Sequence, residues 1–233
     1  MLVLWDIDHT LIESRGVGRA MYQRAFLAAT GKPLRELAAV AGRTELDIMR
    51  ETLRSNGVEA TADAVDRLAE ELVAAYEDAR PELVARGRPL PGVVSALATV
   101  PASADVHQSV LTGNLRQVAR IKLEAFGLDK YLDLASGAYG DDAADRPALV
   151  GVARERARSN TGTSYAGQRT VLIGDTPNDV RAALASDARV IAVATGKSGE
   201  AALRQAGAEV VRTSVDAQLL RILVQWAREE PVR

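Results

Sequence analysis

The stretch "LVLWDIDHT" (2–10) constrains this chain more than any other. Four apolar residues, Leu2 to Trp5, read as a buried strand. The run then ends in two aspartates one residue apart, Asp6 and Asp8. Like charges this close repel, and both lose water if the site is enclosed. A divalent cation is the simplest compensation. A fold is therefore required in which a buried strand delivers carboxylates to an enclosed polar site.

Further strand-like runs stand at "HQSVL" (107–111), "LDLASG" (132–137), "TVLIG" (170–174), "RVIAVA" (189–194) and "AEVV" (208–211). Helical patterns separate the later ones, which predicts an α/β domain with a parallel, Rossmann-like sheet. Residues 15–88 read instead as almost entirely helical. Gly31 is placed to end "RAMYQRAFLAATG", Thr44 to cap "ELDIMRETLRSNG", and Thr61 to cap a helix with Val65, Leu68, Leu72 and Tyr76 on one face. Pro81 kinks or ends that helix, and "RGRPLPG" (86–92) reads as the return linker. The expected organisation is a core of residues 1–14 and 89–233 interrupted by an all-helical unit, 15–88.

In open parallel sheets, sites form at the carboxyl ends of strands. Three polar clusters follow strand-like runs: Asp6-Ile7-Asp8-His9-Thr10, Thr112-Gly113-Asn114, and Gly174-Asp175-Thr176-Pro177-Asn178-Asp179. If their strands are neighbours, carboxylates and a hydroxyl converge on one pocket. An all-oxygen set points to a hard cation, Mg²⁺ first. The chain has no cysteine and 2 histidines, which argues against thiolate or histidine-rich metal sites.

"DIDHT", "LTGN" and "GDTPND" together resemble motifs I, II and IV of the haloacid dehalogenase-like (HAD) superfamily. The helical insert stands where that superfamily carries a C1-type cap domain. "GRTELDIM" (42–49) and "KLEAFGLDKY" (122–131) are most similar to its phosphoglycolate phosphatase-like branch. The resemblance implies Asp6 as nucleophile, forming an aspartyl-phosphate, and Asp8 as acid and then base. It implies Mg²⁺ bound by Asp6, the carbonyl of Asp8 and Asp175, with Asp179 behind them. Thr112, Gly113 and Asn114 would bind phosphate, and Thr10 would help hold the turn after the first strand.

The family's third motif, a lysine before a proline, reads Arg146-Pro147 here. Lys122 is the rival. It lies 8 residues past Asn114, or ~12 Å along a helix, a long reach that favours Arg146 and leaves Lys122 as a helix-surface lysine. Arg43 is a candidate substrate-facing residue of the cap, and His9 either lines the entrance or is merely solvated.

The resulting expectation is a Mg²⁺-dependent phosphatase of a small phosphorylated metabolite. The alternatives are a phosphomutase on a sugar phosphate and a non-catalytic binding protein on the same fold. A dehalogenase is disfavoured because Asp8 is present, and a phosphonatase because no clear Schiff-base lysine stands in the cap. Net charge is −2, from 29 basic and 31 acidic residues, which gives no sign of a nucleic-acid or anionic-membrane partner. The N-terminus enters a strand without a basic leader, and no apolar run reaches ~18 residues, so the expected setting is cytoplasmic, as monomer or homodimer.

Overall fold

Strand β1 (Leu2–Trp5) is wholly buried, and its side chains alternate between two cores. Val3 and Trp5 point into one, Leu2 and Leu4 into the other. This is the period-two pattern of a strand covered on both faces. A computed structural model describes residues 1–100 and 106–229 of the chain. In it β1 lies inside a five-stranded parallel sheet with β4 (His107–Val110), β5 (Thr170–Gly174), β6 (Arg189–Val193) and β7 (Val210–Arg212), in the order β4-β1-β5-β6-β7. Trp5 aligns with Val110 on one side and Ile173 on the other, so the three strands that carry the polar clusters end level with one another.

Helices α5 (Val93–Thr99), α6 (Arg116–Ala125) and α10 (Ala217–Arg228) supply apolar residues to the core on one face of the sheet. Helices α7 (Arg146–Thr161), α8 (Pro177–Ala185) and α9 (Glu200–Gln205) do so on the other. Among the described residues no helix is long and apolar enough to cross a membrane.

Between β1 and α5 the chain forms four helices, α1 (Val17–Thr30), α2 (Glu45–Ser55), α3 (Ala62–Asp78) and α4 (Arg80–Arg86), around a third core to which α6 adds Val118 and Ile121. Gly31 ends α1 in the left-handed conformation, with its amide bonded to the Leu27 carbonyl. Thr61 caps α3 by accepting from the Ala64 amide. Pro81 sits in the first turn of α4, after a break at Ala79, where its missing N–H leaves no bond unmade. The unit is joined to the sheet domain through a two-stranded ribbon. β2 (Ile12–Glu13) pairs antiparallel with β3 (Arg88–Pro89), tying the outgoing chain to the returning one.

Two local expectations are corrected. Residues 132–137 form no strand. Asp133 folds them into turns, its carboxylate accepting from the Ala135 amide and its carbonyl from Ser136, and only Ala138 bridges to Leu111 beside β4. Thr44 stands at the start of α2 but makes no side-chain cap; its hydroxyl donates to the Ala144 carbonyl of the sheet domain instead, at 3.1 Å.

Candidate active site

Past Trp5 the ladder continues for one bond, Asp6 N–H to the Ile173 carbonyl, and then β1 gives way to a tight turn. The Ile7 carbonyl accepts from the amides of Thr10, Leu11 and Ile12. This turn, more than the Thr10 hydroxyl, fixes the loop: Thr10 Oγ1 is buried and has no hydrogen-bond partner among the described residues. His9 takes a left-handed backbone (φ 60°) with an exposed side chain, and its carbonyl accepts from Thr195 Oγ1 in the loop after β6. The result aims both aspartates at the carboxyl end of the sheet.

Asp6 is buried beside Asp175 and Asp179, and one oxygen from each of the three lies within 4.8 Å of the others. Arg146, the first residue of α7, reaches between them. Its Nη2 bonds Asp6 Oδ1 at 2.9 Å and Asp179 Oδ1 at 2.5 Å. The other oxygen of Asp179 accepts from the amide and hydroxyl of Thr176 in a capping box at the start of α8. Asp179 thus has both oxygens engaged, and Asp6 and Asp175 are the carboxylates left to face a ligand. Burial pushes the Asp6 carboxyl above its ordinary range; Arg146 relieves part of the rise, and Asp179 and Asp8 add to it. Asp175 is raised for the same reasons, burial first and Asp6 next. Arg146 is held protonated by Asp179 and Asp6 against the penalty of its own burial.

Asp8 has the opposite electrostatics. Burial would raise it, but Lys122 and Asn114 outweigh that and hold it below the usual carboxylate range. Lys122 is not a surface residue: it is 3% exposed, and its Nζ lies 2.7 Å from Asp8 Oδ2 and 2.7 Å from Asn114 Oδ1. Asn114 Nδ2 donates to the same Asp8 oxygen at 2.8 Å and to Thr112 Oγ1 at 2.8 Å. Both donors grip Oδ2, which leaves Oδ1 of Asp8 outside these bonds. The two rival cations are both in the site, each on a different aspartate. Asn114 is turned to Asp8 and Thr112, so its side chain organises the site more than it lines it.

The loops meet at glycines. A Cβ on Gly174 would lie 2.3 Å from Asp179 Cγ, and one on Gly196 would lie 1.8 Å from Asp175 Oδ2. Gly196, in the "ATG" turn after β6, is a site residue that the three sequence clusters did not include, although it too follows a strand.

The helical unit closes over this end of the sheet through residues 42–45. The Glu45 amide donates to the Gly113 carbonyl at 2.8 Å, and Asn178 Nδ2 donates to the Gly42 carbonyl at 3.0 Å. The Arg43 backbone packs so close to Gly113 that a Cβ there would lie 2.0 Å from the Arg43 carbonyl oxygen. The Arg43 guanidinium turns the other way, to Asp47 at 2.7 Å and to Glu51. Behind the loop are three buried groups that sequence reasoning did not single out for the site: Glu45, Tyr22 and Tyr76.

Comparison with known proteins bears on this geometry. The model of the haloacid dehalogenase-like hydrolase family matches residues 3–184, well over half of the 233. No curated protein sequence matches the chain. Among solved structures, the fold resembles a predicted phosphatase from Clostridium acetobutylicum (TM-score 0.71, 18% identity, 96% of this chain and 98% of that one). It also resembles a hydrolase from Pseudomonas syringae (TM-score 0.70, 24% identity, 94% and 96%). A third is a HAD hydrolase of family IA, variant 3, from Entamoeba histolytica (TM-score 0.70, 16% identity, 96% and 99%). These likenesses extend over both the sheet and the helical insert and speak for the fold.

Proposed function

We propose that this chain, which belongs to the haloacid dehalogenase-like hydrolase family, is a Mg²⁺-dependent phosphatase that cleaves a small phosphate monoester through an aspartyl-phosphate. One observation carries the proposal. Asp6 and Asp8, with one residue between them at one strand tip, are held by different cations, Arg146 and Lys122. A nucleophile and an acid–base group must be positioned separately, and a cation held by Asp6 and Asp175 would keep the nucleophile ionised against the rise that burial gives it.

The residues fit a hard cation. Asp6 and Asp175 are buried, crowded carboxylates with one arginine among them, and that charge is too little to satisfy three aspartates. Their carboxylates, with the backbone carbonyl of Asp8, would hold Mg²⁺. Bound there, the ion would neutralise charge on the phosphoryl group.

The remaining work falls to the chain. Thr112 and the Gly113 amide bind phosphate oxygens, and Arg146 keeps Asp6 in line. Asp6 bonds to phosphorus as the ester P–O bond breaks. Asp8, ionised in the free site, takes up the proton that the monoester monoanion brings, since the added negative charge raises its carboxyl, and gives it from Oδ1 to the departing alcohol oxygen. Water then attacks phosphorus, its proton passes to Asp8, and the bond to Asp6 breaks. Docking of residues 42–45 as a cap excludes bulk water and restricts the site to small esters.

The test is phosphate release from a panel of small esters with Mg²⁺ and with EDTA, beside Asp6→Asn. Release that needs Mg²⁺ and disappears in Asp6→Asn is the expected result. Turnover near the parental rate in Asp6→Asn removes Asp6 as nucleophile.

A further inference from the structure

Three buried titratable side chains of the helical unit lie over the Asp8 side of the site, and the chemistry above does not use them. Glu45 begins α2. Its amide is fixed on Gly113, and its carboxylate accepts from the Tyr22 hydroxyl of α1. Tyr76 of α3 covers Lys122, with the ring centroid 5.2 Å from Nζ. Lys122 and Asp8 are the charges that Glu45 senses across the interface. Burial raises the Glu45 carboxyl to about 7 although Tyr22 donates to it and Lys122 is near. The protein therefore meets its charge only in part.

The buried cations of this region are committed elsewhere, and His9 beside Asp8 is exposed. Lys122 bonds Asp8 and Asn114, Arg146 bonds Asp6 and Asp179, and Arg43 turns outward to Asp47 and Glu51. Among the described residues, the helical face over Asp8 offers one carboxylate, two phenols and no uncommitted cation. Glu45 and Tyr76 lie near enough to Asp8 to feel its charge, so they are the groups of the helical unit that an alcohol leaving from Asp8 Oδ1 would meet.

We infer that Glu45 is a specificity-determining residue, and that the substrate's alcohol part presents hydroxyl or ammonium donors to it and carries no second anionic group. This rests on the phosphatase assignment and narrows it. A carboxylate on the alcohol part would face Glu45 with like charge, whereas a donor would supply what the protein leaves unmet.

The test compares kcat/KM of the full chain, with Mg²⁺ at about pH 8, where Glu45 is chiefly ionised, for 2-aminoethyl phosphate, glycerol 1-phosphate, phosphoglycolate and p-nitrophenyl phosphate. At least one of the first two exceeds phosphoglycolate by roughly tenfold or more, and which one leads tells ammonium from hydroxyl. Glu45→Gln keeps an acceptor for Tyr22 but removes the charge. It raises kcat/KM on phosphoglycolate and lowers it on 2-aminoethyl phosphate, and a gain on one ester is not a result that a damaged fold gives. Tyr22→Phe, which strips Glu45 of its donor at nearly constant volume, widens the preference for 2-aminoethyl phosphate over phosphoglycolate. Preference for phosphoglycolate in the parent, or a preference unmoved by Glu45→Gln, overturns the inference. If p-nitrophenyl phosphate is turned over and the other esters do not differ, the specificity inference alone falls. If folded protein turns over none of the four, the phosphatase assignment falls and this inference with it.

Discussion

Asp8 is held by one oxygen only. Lys122 and Asn114 both donate to Oδ2, so removal of Lys122 frees the carboxyl to rotate and removes the charge that steadies it. Lys122→Met, close in volume, should therefore lower kcat on alkyl esters by about 10²–10⁴, the usual worth of a positioned acid–base group. The first turnover of p-nitrophenyl phosphate should suffer much less, because that alcohol leaves without a proton. Burst kinetics on the two ester types make the comparison, and an equal loss on both would assign Lys122 to phosphate binding. The carboxylates of this site were legible in the sequence, since an aspartate directly after a buried apolar run loses water and needs a compensating charge. Lys122 was not. Counted from Asn114 it stands too far away, but α6 begins only at Arg116, which leaves ~9 Å of rise, and a lysine side chain leaning toward the helix N-terminus spans the rest. Glu45, Tyr22 and Tyr76 were hidden for another reason. Each sits on a helix face that reads as ordinary packing, and its partner lies on another element.

Two element ends give predictions of their own. Residues 42–45 dock on the sheet domain by backbone, and Gly42 is left-handed there (φ 66°). A Cβ on it would lie 2.6 Å from both Asn178 Cβ and Thr176 Oγ1. Gly42→Ala should push the segment off the core at a cost of about 1 kcal/mol of backbone strain, while the helical core of α1–α4 stays packed. The expected signature is a fall in kcat/KM with faster proteolysis around residues 40–45 and little change in far-UV circular dichroism. Full activity in that variant would show that docking by this segment is dispensable. At the other end of the chain, Asp216 caps α10. Its Oδ1 accepts from the Gln218 and Leu219 amides, at 3.0 and 2.9 Å, and Oδ2 from Arg212 at 2.8 Å. These bonds, the Leu219 amide foremost, lower its pKa from 3.8 to about 2. A folded pKa below the unfolded one adds stability that is fully present above about pH 4 and is lost as pH falls toward 2. Asp216→Asn should flatten that part of the acid-unfolding curve, and Asp216→Ala should cost about 1 kcal/mol at neutral pH. Strands β1 and β5 were legible to the residue because both faces of each are buried. The β2–β3 ribbon was not, since two residues per strand carry no period, and 132–137 misled because Asp133 turns an apolar run into a loop.

The molecule as a whole is organised around a charge imbalance at the end of its sheet. Four carboxylates (Asp6, Asp8, Asp175 and Asp179) meet there, with two cations, Lys122 and Arg146. The two packed cores beneath and the helical unit above hold these groups together although they repel, and the apolar burial of β1 and β5 supplies the stability that makes this possible. A cation bound at Asp6 and Asp175 would therefore couple the site to stability. A divalent cation that binds only the folded form stabilises it by about 2.7 kcal/mol at one hundred times its dissociation constant. For a chain of this size each kcal/mol moves the melting temperature by about 2–4 °C. Mg²⁺ should thus raise the melting temperature in a concentration-dependent way, and EDTA should reverse the rise. Asp175→Asn should have two opposite effects. It removes a ligand, so the Mg²⁺-dependent rise disappears. It also removes one of the crowded charges, so the variant in EDTA should melt at or above the parent in EDTA. Both follow from one cause and are read in one set of thermal scans without any substrate. A variant that melts lower in EDTA, or one that keeps the full Mg²⁺ response, would mean that Asp175 serves packing at the strand tip and that the cation, if bound, is held elsewhere.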